Sequence, residues 1–259
     1  SFPILVHPSP IAQFIPGGIA GCTPFPVMFD DQTIGGSTMD WQFGDGAFQS
    51  GPPGDVQHSY TNTGSTPAFF DAQLIATSGF GCTDTATQQI QVYPPVTAMF
   101  DAPDEGCAPF TVNISEQGSG ATQWLWDMGD GTTLVGSSIT HTFFNSSLSD
   151  ITRTITLVAT SAFGCTDTLT HNVVIHPVPN ASFQATPFSQ QFPAATVDIN
   201  NTTANGSWTY GWDFGDGTTS TLQDPLTHTY STWGTFTITL VVTSGGCTDT
   251  TTQDVTIGP

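Results

Sequence analysis

Three tryptophans, each set in an aromatic alternating run that ends on Gly-Asp-Gly, recur at nearly constant spacing. The run reads MDWQFGDGA at 39–47, WLWDMGDGT at 124–132 and YGWDFGDGT at 210–218, so Trp41, Trp126 and Trp212 lie 85 and then 86 residues apart. The segments HSY, HTF and HTY follow, beginning at His58, His141 and His228, and then GCTDT, with Cys82, Cys165 and Cys247. Each copy closes on an apolar run and a proline: IQVYPP, VVIHPVP and VTIGP. Self-similarity kept in order and spacing marks a repeat architecture, here three tandem modules of about 85 residues.

Within a module the period is two. Met39, Trp41 and Phe43 alternate with Asp40 and Gln42; Trp124, Trp126 and Met128 do the same, as do Trp208, Tyr210, Trp212 and Phe214. That is one face of a half-buried strand. The following Asp45-Gly46, Asp130-Gly131 and Asp216-Gly217 read as hairpin turns, with both residues tolerant of positive φ. TITLVATS and TFTITLVVTS are β-branched strands suited to a core face, and no useful helical periodicity occurs. The expected fold class is all-β: three tandem immunoglobulin-like sandwiches, each of seven antiparallel strands around its tryptophan.

VHPSPIAQF aligns with VYPPVTAMF and IHPVPNASF, bringing Pro8, Pro94 and Pro177 together, and likewise Phe14, Phe100 and Phe183. Residues 1–9 therefore read as the tail strand and linker of a preceding module. Module 1 is expected over 10–94, module 2 over 95–178 and module 3 over 179–259, with short Pro-rich linkers between them. A separate N-terminal arm is the alternative reading of the first residues.

WDFGDG followed by HTY and GTFTITLVVT resembles the PKD (polycystic kidney disease) domain family, an immunoglobulin-like β-sandwich. Module 3 matches best; module 1 departs most, with Gln42 in place of the Asp and a longer AFQSGPPGDVQ before its His. The resemblance implies a non-catalytic extracellular module, arrayed as spacers or adhesive stalks on cell surfaces or attached to secreted hydrolases. Some family members resemble calcium-binding modules near the domain junction.

Charge narrows the partners. Against 21 acidic residues stands one Arg, Arg153, and no Lys, for a net charge of −20. Nucleic acid is excluded because its phosphates are bound by Lys and Arg, and polybasic attraction to anionic lipid fails for the same reason. No apolar run is long enough for membrane insertion by a helix. Asp213-Phe214-Gly215 matches a magnesium-binding kinase motif only superficially, since the chain has no Lys to hold phosphates. No nucleophile elbow, zinc-binding helix or phosphate loop is present. The chain is not expected to be an enzyme, and no cofactor is required.

Calcium is the one ligand the carboxylates invite. One grouping is Asp45, Asp130 and Asp216 with Asp127 and Asp213; turn chemistry accounts for the same residues. A second is Asp84, Asp167 and Asp249, expected near the linker before the next module. His58, His141 and His228 are expected to satisfy buried hydrogen bonds, and His7 and His176, before the linker prolines, to make an interdomain contact. Asp84-Thr85, Asp167-Thr168 and Asp249-Thr250 resemble the O-glycosylation acceptor of one large group of surface-gliding bacteria, which would place sugar on those threonines. Asn113, Asn145, Asn201 and Asn205 sit in N-x-Ser/Thr sequons.

Five cysteines fit an oxidising compartment. Cys22 and Cys107 stand early in modules 1 and 2, and Cys82 and Cys165 late in the same modules. The expected pairs are Cys22–Cys82 and Cys107–Cys165, with loop-closure entropy of roughly 4 kcal/mol each. Phe192 is read at the first cysteine position of module 3, leaving Cys247 a free thiol against it; an intermolecular disulfide is the alternative.

The expected function is a structural or adhesive array: a stalk or fibre segment of a large bacterial surface adhesin, linked to attachment or gliding. Its partners are neighbouring repeats, other copies of the chain, or a surface glycan or protein. The first alternative is an accessory segment of a secreted polysaccharide- or protein-degrading enzyme, with exposed Trp233 or Phe144 on a binding strip. The second is a filament subunit that donates residues 1–8 as a strand.

Overall fold

The computed structural model describes residues 6–259. Residues 1–5, which carry most of the expected tail strand, lie outside the described residues. Among the described residues every regular element is a strand.

Module 1 contains β1 (Phe14–Pro16), β2 (Ala20–Cys22), β3 (Phe25–Asp31), β4 (Thr38–Gln42), β5 (Phe48–Gly51), β6 (Val56–Tyr60), β7 (Ala68–Thr77) and β8 (Thr83–Tyr93), in sheets ordered β1-β3-β6 and β2-β8-β7-β4-β5. Next come β9 (Glu105–Cys107), β10 (Phe110–Ser115), β11 (Gln123–Asp127), β12 (Thr133–Val135), β13 (Ser138–Phe143), β14 (Ile151–Thr160) and β15 (Thr166–His176), in sheets β10-β13 and β12-β11-β14-β15-β9. The last set is β16 (Phe183–Thr186), β17 (Ser189–Gln191), β18 (Thr196–Asn201), β19 (Thr209–Asp213), β20 (Thr219–Ser220), β21 (Leu226–Thr229), β22 (Gly234–Ser244) and β23 (Cys247–Gly258), in sheets β16-β18-β21 and β17-β23-β22-β19-β20.

Each antiparallel sandwich also carries one short parallel pairing. In each set a three-residue strand changes sheets and runs parallel to the last strand: β2 with β8, β9 with β15 and β17 with β23. The first and third sets also have eight strands each rather than seven.

Compactness divides the chain into two units. The first comprises the chain up to residue 99 with 117–124 and 158–168; the second comprises 100–116, 125–157 and 169–259. The alternating runs place their apolar side chains as predicted. Trp41 and Leu74 are buried in the first unit, and Trp126, Trp212 and Leu240 in the second. Phe14, Phe100 and Phe183, aligned by the linkers, meet Trp41, Trp126 and Trp212 edge-on at 5.1, 5.0 and 5.1 Å, an arrangement favoured by the ring quadrupoles. The Nε1 groups of Trp126 and Trp212 donate to the carbonyls of Gly136 and Leu222, 2.9 Å each. Trp41 Nε1 is buried without a protein partner, and the segment that follows its turn, AFQSGPPGDVQ, is longer than in the other two modules.

Candidate functional site: turns and stapled junctions

The Gly-Asp-Gly turn is a latch. Asp45, Asp130 and Asp216 each accept through Oδ1 from the N–H two residues on, Ala47, Thr132 or Thr218, at 3.0 Å. Oδ2 meets Nε2 of His58, His141 or His228 at 2.7, 2.8 and 2.8 Å. The imidazoles lie flat on Phe43 and Phe214 in the outer modules, and edge-on to Tyr60, Phe143 and Tyr230 in all three. Partial burial alone would push these carboxyls up; hydrogen bonds from the histidine and turn amide, joined by the Thr132 hydroxyl at Asp130 and led by the Thr218 hydroxyl at Asp216, outweigh it and hold all three below the usual carboxylate value. Burial and the nearby Asp216 charge push the Tyr230 hydroxyl up to about 12, so it stays a neutral donor to the Phe214 carbonyl.

Positive φ falls on the flanking glycines and not on the aspartates. A Cβ at Gly44, Gly129 or Gly215 would also collide with the backbone of Asp71, Thr154 or Thr237 on the neighbouring strand. The turn therefore needs glycine twice over. Asp127 and Asp213 accept from the N–H groups of Gly129 and Gly215 at 2.9 Å, a role that Gln42 does not fill in module 1.

The second acidic grouping serves the entry strand of its own module. Asp84, Asp167 and Asp249 accept from the N–H groups of Ala12, Ala98 and Ala181 at 2.9, 2.8 and 2.8 Å. This corrects the expected approach to the following linker: each Asp, near the start of β8, β15 or β23, sits where the chain enters the sandwich. Among the described residues, no three His, Cys, Asp or Glu side chains converge as metal ligands. Thr85, Thr168 and Thr250 are exposed on β8, β15 and β23.

The disulfides depart from expectation, and they define the junctions. Cys22 bonds Cys165 and Cys107 bonds Cys247, each pair with Cα atoms 5.6 Å apart; Cys82 is the free cysteine. The pairs Cys22–Cys82 and Cys107–Cys165 and the free Cys247 are thus corrected together. Cys22 lies opposite Tyr93, the last residue of β8, whereas Cys82 precedes the first. Eleven strand residues at about 3.3 Å each separate them by roughly 35 Å, far beyond the ~7 Å Cα limit of a disulfide. Cys107 likewise lies opposite His176, the last residue of β15, whereas Cys165 precedes the first. Each early cysteine therefore faces the next module and bonds its late one.

In module 3 the strand position of Cys22 and Cys107 belongs to Gln191, not Phe192. Gln191 lies opposite Gly258. Phe192 N–H donates to the Gly258 carbonyl as Thr23 and Ala108 donate to those of Tyr93 and His176. One extra residue between Pro193 and Val197, relative to Pro24–Val27 and Pro109–Val112, hides this shift from a count made back from the valine.

Ring contacts accompany the bridges. In the first unit Tyr93 stacks on Phe163, centroids 4.7 Å apart. In the second, His176 covers Gly245, and its Nδ1 and Nε2 meet Asp150 and Glu105 at 2.9 and 3.3 Å. The Asp150 hydrogen bond, joined by Glu105 and opposed by burial, raises the His176 pKa above 6.5 and favours imidazolium.

Sequence reasoning missed Asn62. Its Nδ2 donates to the Thr66 and Val92 carbonyls, 2.8 Å each, tying a loop to the end of β8. Asn145 does the same with Ser149 and Ile175 at 2.9 and 2.7 Å, so the nitrogen a glycan would use already serves the fold. The available signal was an Asn four residues after the repeated His in two copies.

These are tandem immunoglobulin-like β-sandwiches. The PKD domain family model matches residues 93–176 and 176–257, more than half of the chain. The protein belongs to the PKD domain family. Human polycystin-1 is 25% identical over 222 residues, covering 81% of this chain and 5% of that protein; the chain thus spans a small part of that relative. Among solved structures, the ICAM-5 D1–D4 ectodomain fragment has a TM-score of 0.43 at 14% identity, covering 95% of this chain and 76% of that one. Mouse cadherin-23 EC22–24 has a TM-score of 0.30 at 15% identity, covering 96% and 98%. The family is typically non-catalytic and adhesive or structural, and together with the two disulfides it suggests an extracellular location.

Proposed function

We propose that the chain is a segment of a bacterial cell-surface array, a stalk or fibre whose modules are stapled end to end and carry tension between an anchor and an adhesive tip. One observation carries this reading: each bridge joins the early cysteine of one module to the late cysteine of the next. Short proline linkers add stiffness, and the high negative charge keeps copies apart in solution.

The experiment is single-molecule stretching from the two ends. With both bridges intact, the shortest covalent path is about 90 residues, roughly 300 Å at 3.4 Å per residue. After reduction all 259 residues extend, to roughly 900 Å. The same contour length with and without reductant would remove the tension-bearing role.

A second reading, an accessory module of a secreted polysaccharide-degrading enzyme, has one observation in its favour. An open groove of about 680 Å³ on module 1 is lined by Asp40, Gln42, Asp71 and Gln73 and edged by exposed Phe48. Trp233 and Phe144 are exposed but lie on different modules. Pull-down on insoluble polysaccharide, lost with Phe48→Ala, would favour this reading. Strand donation by residues 1–8 has less support, because β23 already fills its place between β17 and β22.

A further inference from the structure

Cys82 has the surroundings of a bridged cysteine without the bridge. Its N–H donates to Ser78 Oγ at 3.2 Å, and its carbonyl accepts from Ser78 N–H at 2.8 Å. Cys165, which is bridged, makes the same two bonds to Ser161 at 3.1 and 2.8 Å. His7 stacks on Phe80, centroids 3.9 Å apart and planes at 14°, as Tyr93 stacks on Phe163 beside the Cys22–Cys165 bridge. Ile11 exchanges backbone hydrogen bonds with Ile34 just as Thr97 does with Ser119. Turn, ring stack and docked linker therefore repeat at module 1 what surrounds a completed bridge at module 2.

We infer that Cys82 is the receiving half of a third staple, and that its partner is the early cysteine of a PKD module of this same kind whose last strand ends at His7. The register names the donor position: Cys22 and Cys107 lie opposite Tyr93 and His176, so the donor lies opposite His7. Copies of this chain cannot supply it from their third module, because Gln191 stands at that position and Cys22 and Cys107 are already bonded. The stapled series therefore runs in one direction and stops at module 3. Bond formation needs a disulfide oxidant such as oxidised glutathione. The Cys82 and donor thiols join through one S–S bond, and their two protons and two electrons leave on two glutathione thiols.

The inference deepens the array reading and is tested apart from it, in two steps. First, the chain itself is incubated with oxidised glutathione and weighed. Monomer carrying one glutathione at Cys82 is expected; a Cys82–Cys82 dimer overturns the inference, since the site would then pair with its own kind. Second, a copy of residues 95–175 is fused directly ahead of His7, which adds a donor and a receiving cysteine. Disulfide mapping should find the added donor linked to Cys82, with one maleimide-reactive thiol per chain. Three reactive thiols, with Cys22–Cys165 and Cys107–Cys247 intact as proof of folding, would overturn the inference and leave the stretching result untouched. Linkage between two polypeptides, seen as doubled mass without reductant, would overturn the same-chain source.

Discussion

The two stapled junctions share a register and a disulfide but differ in the groups around the bridge. In the first unit Tyr93 lies on Phe163, with Ala20 two residues before the cysteine and Pro67 following the carbonyl that Asn62 holds. In the second unit the corresponding residues are His176 over Gly245, Glu105 and Asp150. One junction closes with a stack of two aromatic rings. The other closes with a histidine ring whose two nitrogens meet carboxylates that raise its pKa. The covalent link and the backbone around it are therefore the conserved design of the joint, and the ring contact is what varies.

The largest effect expected comes from removing that shared part. Cys22→Ser and Cys107→Ser each open a loop of about 140 residues, worth up to ~5 kcal/mol in loop-closure entropy. Urea denaturation followed by tryptophan fluorescence should show each variant splitting one transition into two. If only one variant splits it, the two bridges are not equivalent and the comparison fails.

Next in size is the residue beneath the ring. Gly245 has φ +50, and a Cβ there would run into His176. Gly245→Ala should lose about 1–3 kcal/mol from strain and overpacking. Gly79 stands where module 2 has Ala162, and a Cβ there meets nothing. Gly79→Ala should stay within about 0.5 kcal/mol. Equal losses at both sites, measured by denaturant midpoint, would show that the His176 contact carries no weight.

What the sequence disclosed follows from what periodicity can encode. Alternation marks which face of β4, β11 or β19 is buried, so the tryptophan cores and the linker phenylalanines Phe14, Phe100 and Phe183 could be read directly. The His–Asp latch was only half legible: the histidines recur as a buried type, but no spacing rule pairs His58 with Asp45. The disulfides were hidden because spacing does not say at which end of a strand a cysteine sits. That depends on β2 and β9 running parallel to β8 and β15, a pairing between residues some seventy apart. The Gln191 position was hidden by a single inserted residue, which only the β17–β23 register reveals.

The smallest effect is the most specific to the difference between the joints. His176 has its pKa raised above the unfolded value of 6.5. Its contribution to stability is therefore complete below about pH 6.5 and is lost as pH rises through the folded value. Asp150 and Glu105 are half-exposed or more, so the contribution is modest and screened by salt. The denaturant midpoint, recorded from pH 5 to 9, should fall as the pH rises, and His176→Gln should flatten that fall. Transferring the three residues to the first unit, as Ala20→Glu, Pro67→Asp and Tyr93→His, should install the same fall there, worth less than about 1 kcal/mol. Phe163 would then lie beneath an imidazolium and supply a cation–π contact of similar size. If the triple variant stays flat with pH while His176→Gln still abolishes the natural slope, the pH response needs Gly245 beneath the ring as well as the two carboxylates beside it.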